Sequence, residues 1–184
     1  AGGVQYVACA GNFKDAGLEY TGALKVLQMI FSYEYLWIQI RVKGGAYGCM
    51  CSFSDQGDSM FVTYRDPNLS ESYKVYDEAA DYVEDFDADD RDMKKYIIGT
   101  IGSMDMPMEA VDMGARSFHA YFLGKTEADL QKVRDQVLSC TQEDIRALAP
   151  IVKAVVEAGN RCCIGNEEKI DQNKEYFDEV KHVL

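Results

Sequence analysis

The sequence of 184 residues is poor in histidine and lacks the spaced motifs from which metal centres are built. It has two histidines, His119 and His182, and contains neither H-E-x-x-H nor H-x-x-E-H. Its six cysteines include no C-x-x-C pair, so they predict no zinc site. We therefore expect no metal in this chain, and we interpret His119, next to Phe118, as a partly buried structural side chain.

Basic residues and long apolar runs are also scarce. Nineteen Lys and Arg against 31 Asp and Glu leave a net charge of −12, which repels nucleic acid and anionic membrane surfaces. The longest apolar run, Tyr6 to Ala10, has five residues, whereas a membrane span needs about 20. No basic patch and apolar stretch mark a signal peptide at Ala1. We interpret the cysteines as reduced thiols and therefore expect a cytoplasmic protein. From the negative charge and the short apolar runs, we expect no nucleic-acid or membrane partner.

The segment from Asp77 to Asp92 carries nine carboxylates, a density that raises the question of calcium binding. Asp90 stands where a calcium loop needs glycine, and Tyr96 stands where it needs glutamate. These two mismatches favour solvated helix ends over a calcium site. An acidic interaction surface remains an alternative use of this segment.

Hydrophobic periodicity predicts an α+β fold in which helices cover a mainly antiparallel sheet, within a single domain spanning residues 1–184. The predicted strands are 4–10, 46–53, 59–65 and a short β-like segment at 161–165. The predicted helices are 19–42, one opening at 68–71, 90–101, one after Pro107, those opening at Thr126 and Thr141, and 176–183.

Local signals specify several helix ends. Asn68 to Glu71 has the spacing of a capping box, and Thr126 and Thr141 each precede an acidic residue by three positions. The glycines Gly44 and Gly45 predict a left-handed C-cap for the first long helix. The helix after Pro107 is expected to bury one stripe, formed by Val111, Ala115, Phe118 and Phe122.

No nucleophile or phosphate loop can be defended from the sequence. Two histidines and the absence of a G-x-S-x-G elbow leave no basis for a catalytic triad. Gly44, Gly45 and Gly48 are spaced loosely like a phosphate loop, but they follow a helix and precede a strand. A phosphate cradle needs the opposite order, so we expect no catalytic residue in this chain.

The strongest candidate for a binding site is the junction between the first long helix and the next strand. Arg41 offers five donors in a fixed fork, and Tyr47 offers one hydroxyl on a rigid ring. Together they could hold the carbonyl groups of an extended peptide lying along this end of the sheet. The alternative is that Arg41 forms a structural ion pair and that Tyr47 is a half-buried strand residue.

The same junction resembles the C-terminal half of pitrilysin-type zinc peptidases (inverzincins), and most closely the presequence-protease subgroup. The resemblance extends from about residue 3 to 148, and the blocks Arg-Val-Lys-Gly-Gly-Ala-Tyr-Gly and Tyr-Arg-Asp-Pro-Asn-Leu carry most of its specificity. The matching segments are Tyr20–Leu24, Tyr35–Trp37, Ile40–Gly48, Tyr64–Leu69, Ile97–Ile101, Gly114–Ser117 and Gly124–Glu127.

The resemblance implies a metallohydrolase-like α+β domain from a peptidase of four such domains, whose two halves close around a chamber. It implies that zinc is bound by H-x-x-E-H in the N-terminal half, and that the glutamate of that motif activates water. By position, Arg41 and Tyr47 match the Arg and Tyr with which the last domain reaches the substrate near the scissile bond. The resemblance thus implies a non-metal C-terminal domain, inactive alone, whose partners are a peptide substrate and the zinc-bearing half.

Another interpretation remains open beside this one. The chain could come from a catalytically inactive relative that serves as a scaffold or a peptide-binding module. An H-x-x-E-H motif upstream in the parent polypeptide distinguishes the two, because a scaffold has no need of it.

Overall fold

Four strands form one antiparallel sheet in a computed structural model that describes residues 3–182. They are β1 (Tyr6–Asn12), β2 (Gly48–Phe53), β3 (Asp58–Tyr64) and β4 (Asn160–Ile164). The strand order is β2-β3-β1-β4, so the last strand in sequence pairs with the first. The α+β fold with an antiparallel sheet, predicted from periodicity, is confirmed.

Strict alternation along β1 decides which way its side chains face. Val7 and Cys9 are fully buried, whereas Tyr6 is exposed. In the register of the sheet, Ala8 lies opposite Val62 on one side and Cys162 on the other. Because successive residues of a strand point to opposite faces, the even-numbered residues of β1 and β3 share the outer face.

Helices account for most of the remaining chain. They are α1 (Ala23–Ile30), α2 (Ser70–Asp77), α3 (Ala79–Glu84), α4 (Asp90–Met104), α5 (Ala110–Phe122), α6 (Glu127–Leu138), α7 (Gln142–Arg146), α8 (Ala149–Glu157) and α9 (Glu167–Asp171). Two π-helical segments, Phe31–Tyr35 and Trp37–Lys43, continue α1, and Phe13–Ala16 and Lys174–Tyr176 form short 3₁₀ turns. α1 packs against β2, and α8 packs against β1, so both lie on the inner face of the sheet.

The core between the sheet and these helices is rich in tyrosine, and the buried hydroxyl groups have partners. Tyr76 donates its hydroxyl hydrogen to the carbonyl oxygen of Val7 at 3.1 Å. Tyr73 donates to the carbonyl oxygen of Cys162 at 3.0 Å, so that a helix residue is joined to the last strand. Since an unpaired buried hydroxyl is costly, these bonds allow large polar-tipped rings to fill the core.

Two of the sequence-predicted helix starts need correction. The first long helix begins at Ala23 and not near residue 19. The expected capping box at Asn68 is wrong, because α2 has Leu69 at its N-cap position and no capping side chain. The amide of Asn68 instead donates to the carbonyl oxygen of Gly44 at 2.6 Å, which ties two loops together. Both threonine caps are confirmed, since Thr126 and Thr141 each form a complete capping box.

The predicted helix over 176–183 is also wrong for its described part. Residues 177–182 have no regular secondary structure, and Val183 lies outside the described residues. α9 and a short 3₁₀ turn precede this segment instead. Among the helices built from residues 3–182, none combines the length and the apolar character that a bilayer crossing requires.

The apolar stripe of α5 does not enter the core. Val111 is 72% exposed, and Phe118 and Phe122 are each 67% exposed, so the expected burial of this stripe is wrong for this chain. Phe118 and Phe122 contact each other, with ring centroids 4.6 Å apart. A helical period in the sequence predicts that a helix is amphipathic, but it does not identify the surface that covers the apolar side.

Candidate functional site

The outer face of the sheet is open to solvent and carries no charge over most of its area. Fourteen positions on the four strands face outward, and two of them, Asn12 and the acidic Asp58, pair at the end of the sheet opposite Tyr64. The other twelve have apolar or neutral side chains or none. They are Tyr6, Ala8, Ala10, Gly48, Met50, Ser52, Met60, Val62, Tyr64, Asn160, Cys162 and Ile164. In a chain of net charge −12, such a surface suits an extended apolar or neutral segment better than a charged one.

The end of the first long helix borders this face. Its last turns are π-helical over Trp37–Lys43, and the amide of Gly44 donates to the carbonyl oxygen of Gln39 at 3.0 Å. Gly45 then adopts a left-handed conformation with φ of 78°, as the sequence predicted. The wider turn changes the direction in which the last side chains project, and π-helical turns are frequent at functional sites.

Arg41 projects from this π-helical segment toward the start of β2. Its Nε donates a hydrogen bond to the backbone carbonyl oxygen of Tyr47 at 3.1 Å. Its guanidinium carbon lies 4.3 Å from the centre of the Trp37 ring. Among residues 3–182 no carboxylate forms an ion pair with Arg41, so the observed contacts are not those of a structural salt bridge.

Tyr47 stands directly before β2 with its ring 66% exposed, which is more than the half-buried alternative expects. Its ring meets the ring of Tyr64 edge-on, with centroids 5.5 Å apart. Tyr64 in turn meets Tyr6 edge-on at 5.4 Å. A row of aromatic rings therefore runs from Tyr47 across β3 to β1, along one end of the outer face.

Cys49, two residues after Tyr47, is not activated as a nucleophile. Burial raises the pKa of Cys49 to about 11, although the positive charge of Arg41 acts in the opposite direction. A thiol with so high a pKa is almost fully protonated near neutral pH and is a poor nucleophile. Cys49 is therefore a poor candidate for a nucleophile at this junction.

The structure brings together the two residues that the sequence singled out, Arg41 and Tyr47. It also places Arg65 beside them, which sequence reasoning missed. The guanidinium carbon of Arg65 lies 5.8 Å from the centre of the Tyr47 ring, and its carbonyl oxygen accepts the Tyr47 N–H at 3.3 Å. Arg65 belongs to the Tyr-Arg-Asp-Pro-Asn-Leu block, which was the available signal.

The donor groups of the described residues do not come together as a zinc site. Within residues 3–182 no cluster of three or more His, Cys, Asp or Glu side chains is placed to hold a metal ion. His119 is exposed on α5, so its interpretation as a partly buried structural residue is wrong. His182 lies near Glu167, with 3.3 Å between Nδ1 and Oε1.

Comparison with known proteins shows the family of this chain. A family model described as the PreP C-terminal domain matches residues 2–166. Protein HypA of Clostridium perfringens is 43% identical over 183 residues, which cover 100% of this chain and 19% of that protein. Presequence protease 1, chloroplastic/mitochondrial, of Arabidopsis thaliana is 34% identical over 185 residues, covering 98% of this chain and 17% of that protein. The chain thus spans less than a fifth of the length of these curated relatives.

A solved structure shows the same fold at low sequence identity. A protease from Helicobacter pylori aligns with a TM-score of 0.62 and 16% identity, over 80% of this chain and 38% of that one. At this identity the likeness concerns the fold and not the activity.

Proposed function

The chain belongs to the PreP C-terminal domain family and is the C-terminal domain of a presequence-protease-like enzyme, and from this we propose a binding role without catalysis. Residues 1–184 form one metal-free domain of a larger zinc metalloendopeptidase that degrades peptides. The domain closes the substrate chamber and holds the peptide backbone near the scissile bond through Arg41 and Tyr47. Zinc belongs to the N-terminal half of the same enzyme, so this chain alone is inactive.

One observation carries the proposal: Arg41 and Tyr47 lie together, accessible, at the border of an uncharged open sheet face. The hydrogen bond from Arg41 Nε to the Tyr47 carbonyl oxygen, at 3.1 Å, fixes their relative position. This bond uses one of the five guanidinium donors, and the Tyr47 hydroxyl is on an exposed ring. An extended peptide lying across the face would present carbonyl oxygens to these donors.

The proposed partners are therefore a peptide substrate and the zinc-bearing half of the enzyme. We also propose a cytoplasmic location, since all six cysteines are free thiols, as is usual in a reducing compartment. The name of the Arabidopsis relative assigns that protein to chloroplasts and mitochondria. Fractionation of the source cells tests the location directly.

The test of the binding role uses the full-length parent enzyme and an unstructured peptide. A charge-assisted hydrogen bond contributes ~1.5–3 kcal/mol, so Arg41→Ala should lower kcat/KM by about 10- to 100-fold. Tyr47→Phe should also lower it, while zinc content stays unchanged in both variants. Wild-type turnover by Arg41→Ala would refute the role of Arg41.

The isolated chain gives a second test. It should not cleave the peptide alone, and cleavage should appear when the zinc-bearing half is added. A parent polypeptide without H-x-x-E-H would instead support the scaffold or peptide-binding module of a catalytically inactive relative.

A further inference from the structure

Arg65 has an unusual backbone conformation. Among residues 3–182 it is the one non-glycine residue with a positive φ, at 49°. The strand register explains this conformation. Ala8 pairs with Val62, but Gln5 pairs with Asp66, so the segment from Val62 to Asp66 has one residue more than the segment from Gln5 to Ala8 that it faces. Such a bulge changes the direction of a side chain, and a left-handed L-residue is retained at a cost in free energy. Strained residues of this kind concentrate at functional sites.

The turn that follows Arg65 holds this conformation in place. Asp66 is fully buried, and its two carboxylate oxygens accept hydrogen bonds from the Asn68 N–H at 2.9 Å and the Ser72 hydroxyl at 2.6 Å. The Asn68 amide donates to the carbonyl oxygen of Gly44 at 2.6 Å, which connects the turn to the end of the π-helical segment. Arg65 is therefore presented by a firmly held turn and not by a loose loop.

The charged end of Arg65 has no hydrogen-bonding or ion-pairing partner in the described part of the chain. No hydrogen bond from its guanidinium and no ion pair with a carboxylate occur among residues 3–182. The residue is exposed, and its guanidinium carbon lies 5.8 Å from the centre of the Tyr47 ring. Five donors and one positive charge are thus offered to solvent beside a proposed peptide contact.

The electrostatic setting favours an anionic ligand at this position. Arg41 and Arg65 both contact Tyr47, and the one acidic side chain at an outward position of the four described strands, Asp58, lies at the opposite end of β3 from Tyr64. In a chain with 31 acidic residues, neither guanidinium group forms an ion pair within residues 3–182. A planar carboxylate is the group that a guanidinium fork fits best on a peptide.

We propose that Arg65 binds a carboxylate of the bound peptide and so sets substrate preference. The inference rests on the proposed function, because it places the peptide backbone at Arg41 and Tyr47. The carboxylate can come from an Asp or Glu side chain or from the free C-terminus of a short peptide. The 5.8 Å between the Arg65 guanidinium and the Tyr47 ring is less than the length of two extended residues. The carboxylate is therefore expected within about two residues of the peptide group held at Tyr47, which the proposed function places near the bond that is cut.

The experiment measures kcat/KM of the full-length parent enzyme on matched peptides. One series places Glu or Gln at each of the two positions on either side of the cut, and a second compares a free C-terminus with its amide at the same distance. At one of these positions wild-type enzyme should prefer the carboxylate by about fivefold, the upper range for an exposed ion pair. Arg65→Gly tolerates the positive φ but removes the guanidinium, and it should reduce that ratio to about one. Arg65→Lys should retain part of it.

Arg91→Gln removes the same charge from α4, away from the outer face, and should leave the ratio as in wild type. An equal rate of the wild-type enzyme on both members of every pair would overturn the proposal. So would an Arg65→Gly variant that slows both members equally, because the residue would then be structural. A failure of the binding role itself is distinguishable, since Arg41→Ala and Tyr47→Phe would then leave peptide turnover unchanged.

Discussion

The guanidinium of Arg41 lies over the Trp37 ring, with its central carbon 4.3 Å from the ring centre. The two residues are four positions apart at the end of one helix, so the indole ring limits where the charged group can go. Arg41 is thereby directed toward Tyr47 without a carboxylate partner. Trp37 thus orients the side chain while leaving its charge for a ligand.

Trp37→Leu should weaken substrate turnover through Arg41 and not through folding. A cation–π contact at an exposed site contributes about 0.5–1 kcal/mol, so kcat/KM of the full-length enzyme should fall about two- to fivefold. Steady-state kinetics on an unstructured peptide measures the change. Tyr33→Leu removes an exposed ring from the same helical stretch and should have little effect. If both variants slow the enzyme equally, the orienting role of Trp37 is refuted.

Asp66→Ala should destabilise the chain strongly, although the residue touches no proposed ligand. The substitution leaves the buried Ser72 hydroxyl and the Asn68 N–H without their acceptors. The expected loss is ~3 kcal/mol in the free energy of unfolding, measured by urea denaturation. Asp87→Ala removes a side chain that is 88% exposed and serves as the control, with a change within about 0.5 kcal/mol. Equal midpoints for the two variants would contradict this account of the turn.

Two glycine substitutions should shift stability in opposite directions. At Gly11, an added Cβ would lie 2.5 Å from the carbonyl oxygen of Val155, where α8 packs on β1. Gly11→Ala should therefore cost at least about 1–3 kcal/mol, as overpacking does. At Gly102 in α4, nothing lies within 4 Å of the added Cβ. Gly102→Ala should gain about 0.5–1 kcal/mol, because alanine favours the helix.

Thermal unfolding of the three proteins measures both effects, since 1 kcal/mol corresponds to about 2–4 °C at this chain length. A Gly11→Ala variant that melts with the wild-type protein would show that α8 can move away from β1.

The cysteines should differ greatly in reactivity. Burial raises the pKa of Cys9 to about 11 and that of Cys140 to about 12, so at pH 8 few of these thiols are thiolates. Cys162 is exposed on the outer face of β4. A disulfide reagent at pH 8 should therefore react rapidly with Cys162, and with Cys9 and Cys140 after denaturation. The rate at which the buried thiols react should increase as the pH rises, because a raised pKa moves thiolate formation to higher pH. Cys162→Ser should lose the rapid phase, and its survival would contradict the assignment.

The sequence was sufficient where a local signal decides the outcome. The alternation around Val7 and Cys9 predicted β1, and the acidic residue three positions after Thr126 and Thr141 predicted both capping boxes. Gly45 predicted the left-handed end of the long helix. In each case the residues that give the signal lie within a few positions of the structure that they predict, so distant contacts do not change the outcome.

Distant contacts explain the failures. Asn68 has the local pattern of a cap, but a hydrogen bond to the Gly44 carbonyl oxygen takes its side chain elsewhere. The α5 stripe has the pattern of a core helix, but no part of residues 3–182 covers Phe118. Arg65 was missed because its positive φ arises from the pairing of Gln5 with Asp66, a register that no local pattern reveals.

The pairing of β1 with β4 also bears on biosynthesis. Within this domain, β1 leaves the ribosome well before its neighbour at Asn160–Ile164 is made. Until β4 has been made, one edge of β1 is unpaired, and the Tyr73 hydroxyl lacks its acceptor, the Cys162 carbonyl oxygen. The sheet is therefore completed only once β4 has been made, and a ribosome that stops before β4 releases a product with an unprotected, aggregation-prone strand.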